Sequence, residues 1–449
     1  MGKQLLERLS QGRSPGCSVT GWLSLQLGVL FLPTSALFAG LSFLVAITVA
    51  RPQGGPRPLQ RPIAKALLVL ALLMLLALTT ALKPGLAALG LANWLPFFWF
   101  FLAVDPYLQR PESRRRLGLW LLVGSMPVIV VGLLQVWLGW STPIQGLGGL
   151  VQWTMRYPGR ATGIFDTING TAGWLLLCIP FLLHRLRCHP NHPLLLGVTL
   201  TATALTTAAL LLTSSRSSVL LLPLVLLLSS RRRQLPWVLA ILGLYALLVG
   251  IKLTGAADQW PAIKLLVPDL LTSKLERLID PAGASMQSPE VRTSLYPLGL
   301  QLLRGSPWLG IGENGFRTVY LSGALPLPAG EGLNHTHSLP LEFAISHGLP
   351  ALMLLLAIIG HVCMSALRQW RRHSDPQGQD RAWLIAAGII IWLHLWDIPA
   401  YDSRFNMLDW LVFAALLGIS SGAVRSEGTA QPGPTGQPGQ MESPLNGQA

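Results

Sequence analysis

Apolar residues occur along this chain in long blocks rather than in alternation. The stretch IAKALLVLALLMLLALTTAL at 63–82 is typical, with one charge in twenty positions. Blocks near the ~20 residues that a helix needs to cross a hydrocarbon core recur along most of the length. They fall at 19–34, 35–50, 64–82, 85–103, 117–139, 171–184, 194–213, 216–230, 235–253, 341–366, 382–398 and 406–423. A closed barrel would instead show ~10-residue segments of alternating character. The pattern therefore predicts an all-α polytopic membrane protein with about twelve transmembrane helices. Residues 1–253 hold the first nine spans, 254–340 form one large outer loop with short helices, 341–423 hold the last three spans, and 424–449 form a tail.

Composition agrees: 51% of residues are hydrophobic and only 12% are charged, too little polar surface for an ordinary soluble protein. Charge then orients the spans, because cytoplasmic loops carry an excess of Lys and Arg. With the amino terminus inside, the inner segments hold Lys3, Arg8, Arg13, Arg51, Arg57, Arg61, Lys65, Arg110, Arg114 to Arg116, Arg185, Arg187, Arg231 to Arg233, Arg368, Arg371, Arg372, Arg381 and Arg425. That is 21 of the 33 cations. Six more lie in the long loop, where the rule has little force. Reading 19–50 as one span would strand the basic amino terminus outside, so two helices are expected there. Both termini are expected in the cytoplasm, and the loop on the periplasmic side. The net charge of +14 is thus mostly a topology signal, and no aromatic-interleaved basic patch argues for nucleic acid. The four cysteines suggest neither a disulfide framework nor a CxxC metal site. The final segment is rich in Pro, Gly and Gln without an apolar face, as in a disordered tail.

Every conspicuous polar cluster away from the basic loops falls on the outer face. The clusters are RATGIFDTIN (160–169), TSSRSS (213–218), the loop from 254 to 340, and DIPAYDSRFN (397–406). A loop of about 85 residues is long enough to imply a function. It suggests two short helices, at 258–278 and 289–304, the second with Arg292 near its start. At its end stands GLNHTHSLPLEF. Ser338 or Thr336 suits the cap of a helix starting near Leu339, and Pro340 suits its first turn. His337 then sits at a helix amino terminus, where the dipole favours a neutral ring able to accept a proton and attracts phosphate.

Plainer readings exist for each residue. A lone outer arginine such as Arg216 ordinarily snorkels to the headgroups. His335 and His337, two apart, lack a third metal ligand nearby in sequence. Asp397 and Asp402 read as a helix cap and a loop residue. What favours a site is the appearance of Arg216, Arg292 and His337 on one face.

The clusters together resemble the O-antigen ligase family of bacterial membrane glycosyltransferases. Arg160-Ala-Thr-Gly163-Ile-Phe165 with Asn169 resembles its R-x-x-G-x-F…N, and Ser215-Arg216 its S-R at a helix end. Arg292 stands before the loop helix, Pro307 to Phe316 resembles P-x-x-G-x-G-x-x-x-F, and His337-Ser338 with Leu341 and Gly348 resembles H-N-x-x-L…E-x-G. Ser338 stands where Asn is common, Ser346 where Glu is common, and Asp166-Thr-Ile departs from the usual approach to Asn169. The resemblance implies transfer of a glycan from a polyprenyl diphosphate to an acceptor hydroxyl, a lipid A core sugar for ligases, at the periplasmic face of the inner membrane. His337 would be the base. Arg216 and Arg292 would hold diphosphate, with Arg160, Asn169 and Arg404 contributing to the substrate site. No cofactor is implied, and the scattered outer carboxylates with no D-x-D pair point to a metal-independent reaction. Partners would be the lipid-linked glycan, the acceptor and membrane lipids.

A polysaccharide polymerase would use the same chemistry. A small-anion transporter, such as one for bicarbonate, would place ionisable residues and broken helices at mid-membrane in paired halves, and the sequence has neither. A purely structural membrane protein gives no reason for Arg and His to cluster outside.

Overall fold

The computed structural model describes residues 4, 7, 9–49, 61–140, 144–146, 151–153, 159–165, 167–188, 191–254, 289–323, 335–373, 375 and 377–428, with backbone alone at 144–146, 151–153, 289–294 and 422–428. The helices in chain order are α1 Val19–Phe31, α2 Ala36–Thr48, α3 Pro62–Thr80, α4 Pro84–Leu108, α5 Pro111–Trp137, α6 Ile168–Cys188, α7 Pro193–Thr213, α8 Arg216–Ser229 and α9 Leu235–Leu253. They continue as α10 Pro289–Gly305, α11 Gly315–Leu321, α12 Leu339–Arg372, α13 Gln379–Trp396 and α14 Ser403–Gly428. One antiparallel hairpin, β1 Ile144–Gly146 with β2 Val151–Trp153, pairs Gln145 with Gln152. Among the described residues the rest of the regular structure is helical.

Each segment expected to span coincides with a helix, but six are long and apolar enough to cross a membrane: α3, α4, α5, α7, α9 and α12. Two physical reasons separate α1, α2, α8, α6 and α14 from these. The first is length: α1 and α2 have 13 residues each and α8 has 14. At 1.5 Å per residue each is about 20 Å, short of a ~30 Å hydrocarbon core. Ser18 and Ser35 cap α1 and α2, and the hairpin they form returns the chain to the side it came from, as two full spans would. The second is shielding. Every residue of α6 from Gly170 to Leu182 is buried, as is every residue of α14 from Phe405 to Leu416. Helices surrounded by protein need less apolar character than those that face lipid, and α9, with no buried residue, is the opposite case.

Ion pairs lock the end predicted to be cytoplasmic. Arg61 meets Asp105 at 2.5 Å, and Arg114 binds Asp380 through Nε and Nη2 at 2.9 and 2.8 Å, joining α5 to α13. The expected loop helix at 289–304 is α10, whereas the one at 258–278 lies outside the described residues, as does 429–449 of the expected tail. Helix α14 runs on to Gly428, past the expected boundary at 424.

Helix α12 is broken once, at Gly348, where φ is +82° and ψ 168°. A break in a membrane helix leaves backbone groups without partners, and each must be satisfied. The segment Pro307–Gly312 does this. Ile311 and Gly312 donate their N–H groups to the carbonyls of Ile345 and Ser346 at 2.8 and 3.0 Å, and Leu349 donates to Pro307 at 2.8 Å. Approach this close excludes side chains. A Cβ on Gly348 would lie 2.1 Å from the Trp308 carbonyl oxygen, and one on Gly310 (φ +70°) 2.4 Å from that of Ile345. The glycines of two sequence motifs are thus two halves of one joint. Gly348→Ala should combine a left-handed strain of about 1–3 kcal/mol with displacement of this segment. The expected outcome is at least a ~10-fold lower yield of monodisperse protein in detergent size-exclusion chromatography.

Candidate functional site

Three helices begin at the site, each for a local reason. Helix α7 ends in a left-handed residue, Ser214 (φ +52°), and Ser215 is extended, so α8 can start at Arg216. Helix α6 starts where Thr167 Oγ1 accepts the Gly170 N–H at 3.0 Å, which puts Asn169 in its first turn. Helix α12 follows His337, a non-glycine residue in the left-handed region (φ +56°). Ser338 occupies the cap position as expected, yet its side chain makes no capping bond. Instead Glu342 reaches back from the next turn, and its Oε2 accepts the Thr336 N–H at 2.8 Å.

These starts are tied by one chain of side-chain hydrogen bonds. Ser215 Oγ donates to Asn169 Oδ1 at 2.9 Å, and Asn169 Nδ2 donates to Asp397 Oδ2 at 2.7 Å. Asp397 Oδ1 lies 3.2 Å from His337 Nδ1 and accepts the Ile398 N–H at 2.9 Å. Asp397 ends α13, where the negative end of a helix disfavours a carboxylate, so its partners must hold it there. Burial would raise its carboxyl, but the hydrogen bond and charge of His337, the amide of Asn169 and the charge of His335 carry it well below the usual carboxylate range. A charged Asp397 fixes the His337 ring with Nδ1–H toward itself, which leaves Nε2 as the acceptor nitrogen.

The arginines divide by their partners. Arg216, at the first position of α8 and half-buried, has no hydrogen bond or ion pair with any described residue. Arg160 spends Nε and Nη2 on the carbonyls of Thr213 and Ser214, at 2.9 and 3.0 Å, and so holds the turn from which Arg216 projects. Arg404 bonds Asp402 through Nε at 2.9 Å and Nη2 at 2.5 Å, and its Nη1 takes the Ile164 carbonyl at 2.9 Å. Its guanidinium also lies 4.2 Å from the centre of the Phe165 ring. Arg160 and Arg404 therefore fasten the RATGIF segment that leads to Asn169. Gln135 fastens it too, with Oε1 accepting the Thr162 and Gly163 N–H groups at 2.9 and 2.8 Å. The backbone of Arg292 lies in α10, but its side chain is outside the described residues, as is Asp166.

Sequence reasoning passed over Asp397, which read as a cap. Nothing local could have revealed it, because 60 positions separate it from His337. It also supplies the third ligand that the two histidines lacked in sequence. One ligand atom from each of His335, His337 and Asp397 lies within 4.8 Å of the others. The two imidazole centroids are 4.4 Å apart, and the His337 N–H donates to His335 Nδ1 at 3.1 Å. Glu313, one of the scattered outer carboxylates, is instead buried against Trp94, whose Nε1 donates to it at 2.7 Å, and burial pushes its carboxyl up.

Comparison with known families matches residues 201–356 to the model described as O-antigen ligase. That segment includes Arg216, Arg292, His337 and Gly348 but stops short of Asp397. Comparison with curated proteins finds no match.

Proposed function

We propose that the chain, which matches the O-antigen ligase family over residues 201–356, is a glycosyltransferase moving a glycan from a polyprenyl diphosphate to an acceptor hydroxyl, a lipid A core sugar, at the periplasmic face of the inner membrane. A membrane glycosyltransferase of the ligase or polymerase kind is what the family implies in general. The single observation that carries the finer reading is the chain Ser215–Asn169–Asp397–His337, which links a base held in one tautomer to the helix start that bears Arg216, an arginine with no partner among the described residues.

The chemistry follows from those parts. The glycosidic bond to the diphosphate breaks at the anomeric carbon, so negative charge grows on the leaving phosphate while the acceptor hydroxyl must lose a proton. His337 Nε2 takes that proton, and Asp397 stabilises the imidazolium that forms. Arg216 and Arg292 meet the leaving diphosphate. The amino-terminal ends of α6, α8 and α12 add their partial positive charge, and forked arginine donors suit phosphate oxygens. An apolar groove of about 270 Å³ starts at Leu339 and Pro340, beside the His337 turn, and runs along Phe343, Leu355 and Ile390. It suits an isoprenoid chain lying in the membrane.

Deleting the gene and separating the cell's lipopolysaccharide on a gel tests this reading. Core without a ladder, with accumulated lipid-linked glycan, is expected. A single capped repeat would mean a polymerase, and an unchanged ladder would refute both. Purified protein given lipid-linked glycan and acceptor is expected to transfer at least as fast in excess EDTA as without it, because arginine supplies the positive charge. A loss restored by magnesium or manganese would overturn the arginine-only mechanism.

A further inference from the structure

We propose that His335, His337 and Asp397 form a binding site for a divalent transition ion of the zinc class, and that the bound ion inhibits transfer by occupying the ring nitrogen that faces Asp397. The binding half stands on the geometry alone. The inhibitory half rests on the proposed role of His337.

Four observations carry the site. One ligand atom from each residue lies within 4.8 Å of the others, and His337 Nδ1 and Asp397 Oδ1 are 3.2 Å apart. Ligands about 2.0–2.2 Å from a tetrahedral ion are themselves roughly 3.3–3.6 Å apart, so that edge is nearly formed, and His335 has to close in from within 4.8 Å. The left-handed backbone at His337 (φ +56°) folds His-x-His so that both rings meet on one side, with centroids 4.4 Å apart. Asn169 holds Asp397 by Oδ2 at 2.7 Å, an outer hydrogen bond of the kind that orients metal-binding carboxylates and leaves Oδ1 toward the histidines. The His337 and Asp397 side chains are 25% and 21% exposed, enough for an ion to enter and to keep water in its fourth position. Two imidazoles and one carboxylate select zinc, cobalt or nickel ions over magnesium and calcium, which prefer oxygen ligands alone.

Inhibition follows from the tautomer. In the free site Nδ1 carries the ring proton and Nε2 accepts. An ion bound at Nδ1 needs that lone pair, so the proton moves to Nε2 and the ring stays neutral. The acceptor nitrogen is then protonated, and the acceptor hydroxyl has nowhere to send its proton. The imidazolium-stabilising contact with Asp397 is lost at the same time, because the ion takes Oδ1.

The test uses the full chain in detergent, with a purification tag free of histidine, stripped with EDTA and titrated with Co²⁺ as a visible-absorbing probe. One equivalent is expected to give a ligand-field band that Zn²⁺ bleaches. His335→Ala and Asp397→Ala should each weaken Co²⁺ binding by more than ~100-fold. His192→Ala, outside the site, should leave it unchanged. In the transfer assay Zn²⁺ should inhibit the wild-type protein and EDTA should reverse it, whereas whatever rate His335→Ala retains should be insensitive to Zn²⁺. Equal Co²⁺ binding by the wild type and His335→Ala, or equal inhibition of both by Zn²⁺, would overturn the proposal. A protein that shows the band but transfers no glycan keeps the ion site and sinks the glycosyltransferase reading. One that transfers glycan without a band does the reverse.

Discussion

His337→Ala is expected to slow glycan transfer by about 10²–10⁴-fold, the range that one positioned base supplies, at an unchanged level of membrane protein. The expectation rests on the ring's surroundings. His337 has one nitrogen fixed by Asp397 at 3.2 Å and stands at the start of α12. His335 accepts the His337 N–H at its own Nδ1 and packs its ring 5.7 Å from that of Tyr401. His335→Ala should therefore be milder, acting through the shape of the turn. Asp397→Asn should fall between the two. Its amide can still meet the His337 ring, but it carries no charge to balance an imidazolium and can present the wrong group to Nδ1. Because the Asp397 carboxyl is held well below the ordinary range, the charge it brings is present above the unfolded carboxylate range and fades only as pH falls through its depressed value. It is therefore constant across any neutral assay, and the Asn variant should be slow throughout that window. Single-turnover rates for the three variants at equal protein decide the matter. A His335 variant more damaged than the His337 variant would move the base assignment to His335.

The reach of the sequence can be judged from particular residues. The helices were legible because apolar blocks are a local signal, and each expected segment is helical. The number of crossings was not. Hydropathy cannot distinguish a polar-sided helix that other helices enclose, such as α6 with Asn169, Thr171 and His184, from one too polar for lipid. Nor can it see that α1 and α2 each stop at 13 residues. The motifs pointed to Asn169, Ser215, Arg216 and His337, and the structure joins Asn169, Ser215 and His337 through Asp397. They pointed equally to Arg160, and the resemblance added Arg404; the donors of these two arginines go to carbonyls and to Asp402. A motif records that an arginine is needed, and only its partners tell whether it is needed by the loop or by the substrate. Gly348 shows the same limit, since its match to a motif gave no hint that the helix breaks there to receive Pro307–Gly312.

Arg216→Lys is expected to lose about 10²–10³-fold in transfer, nearly as much as Arg216→Ala, although charge is kept. Two phosphate oxygens presented to a guanidinium receive parallel N–H donors in one plane, whereas an ammonium offers a single compact charge on a flexible stem. Arg216 is suited to the former because nothing described in the structure competes for its donors, while Ser215 beside it is anchored to Asn169 at 2.9 Å and Arg160 holds the carbonyls of the preceding turn. Helix geometry adds to this: the residue opens α8, so the helix dipole points the same way as the guanidinium charge. A snorkelling arginine would behave differently, since lysine reaches headgroups as well as arginine does and should preserve the rate. The same replacement at Arg292 is expected to be similarly damaging. Arg160→Lys should act through the fold, by loosening the turn before α8, and should lower thermal stability in detergent where Arg216→Lys does not. Measuring transfer and melting temperature together separates the two roles. Near-normal transfer by Arg216→Lys would remove this residue from the diphosphate site and return it to the membrane surface.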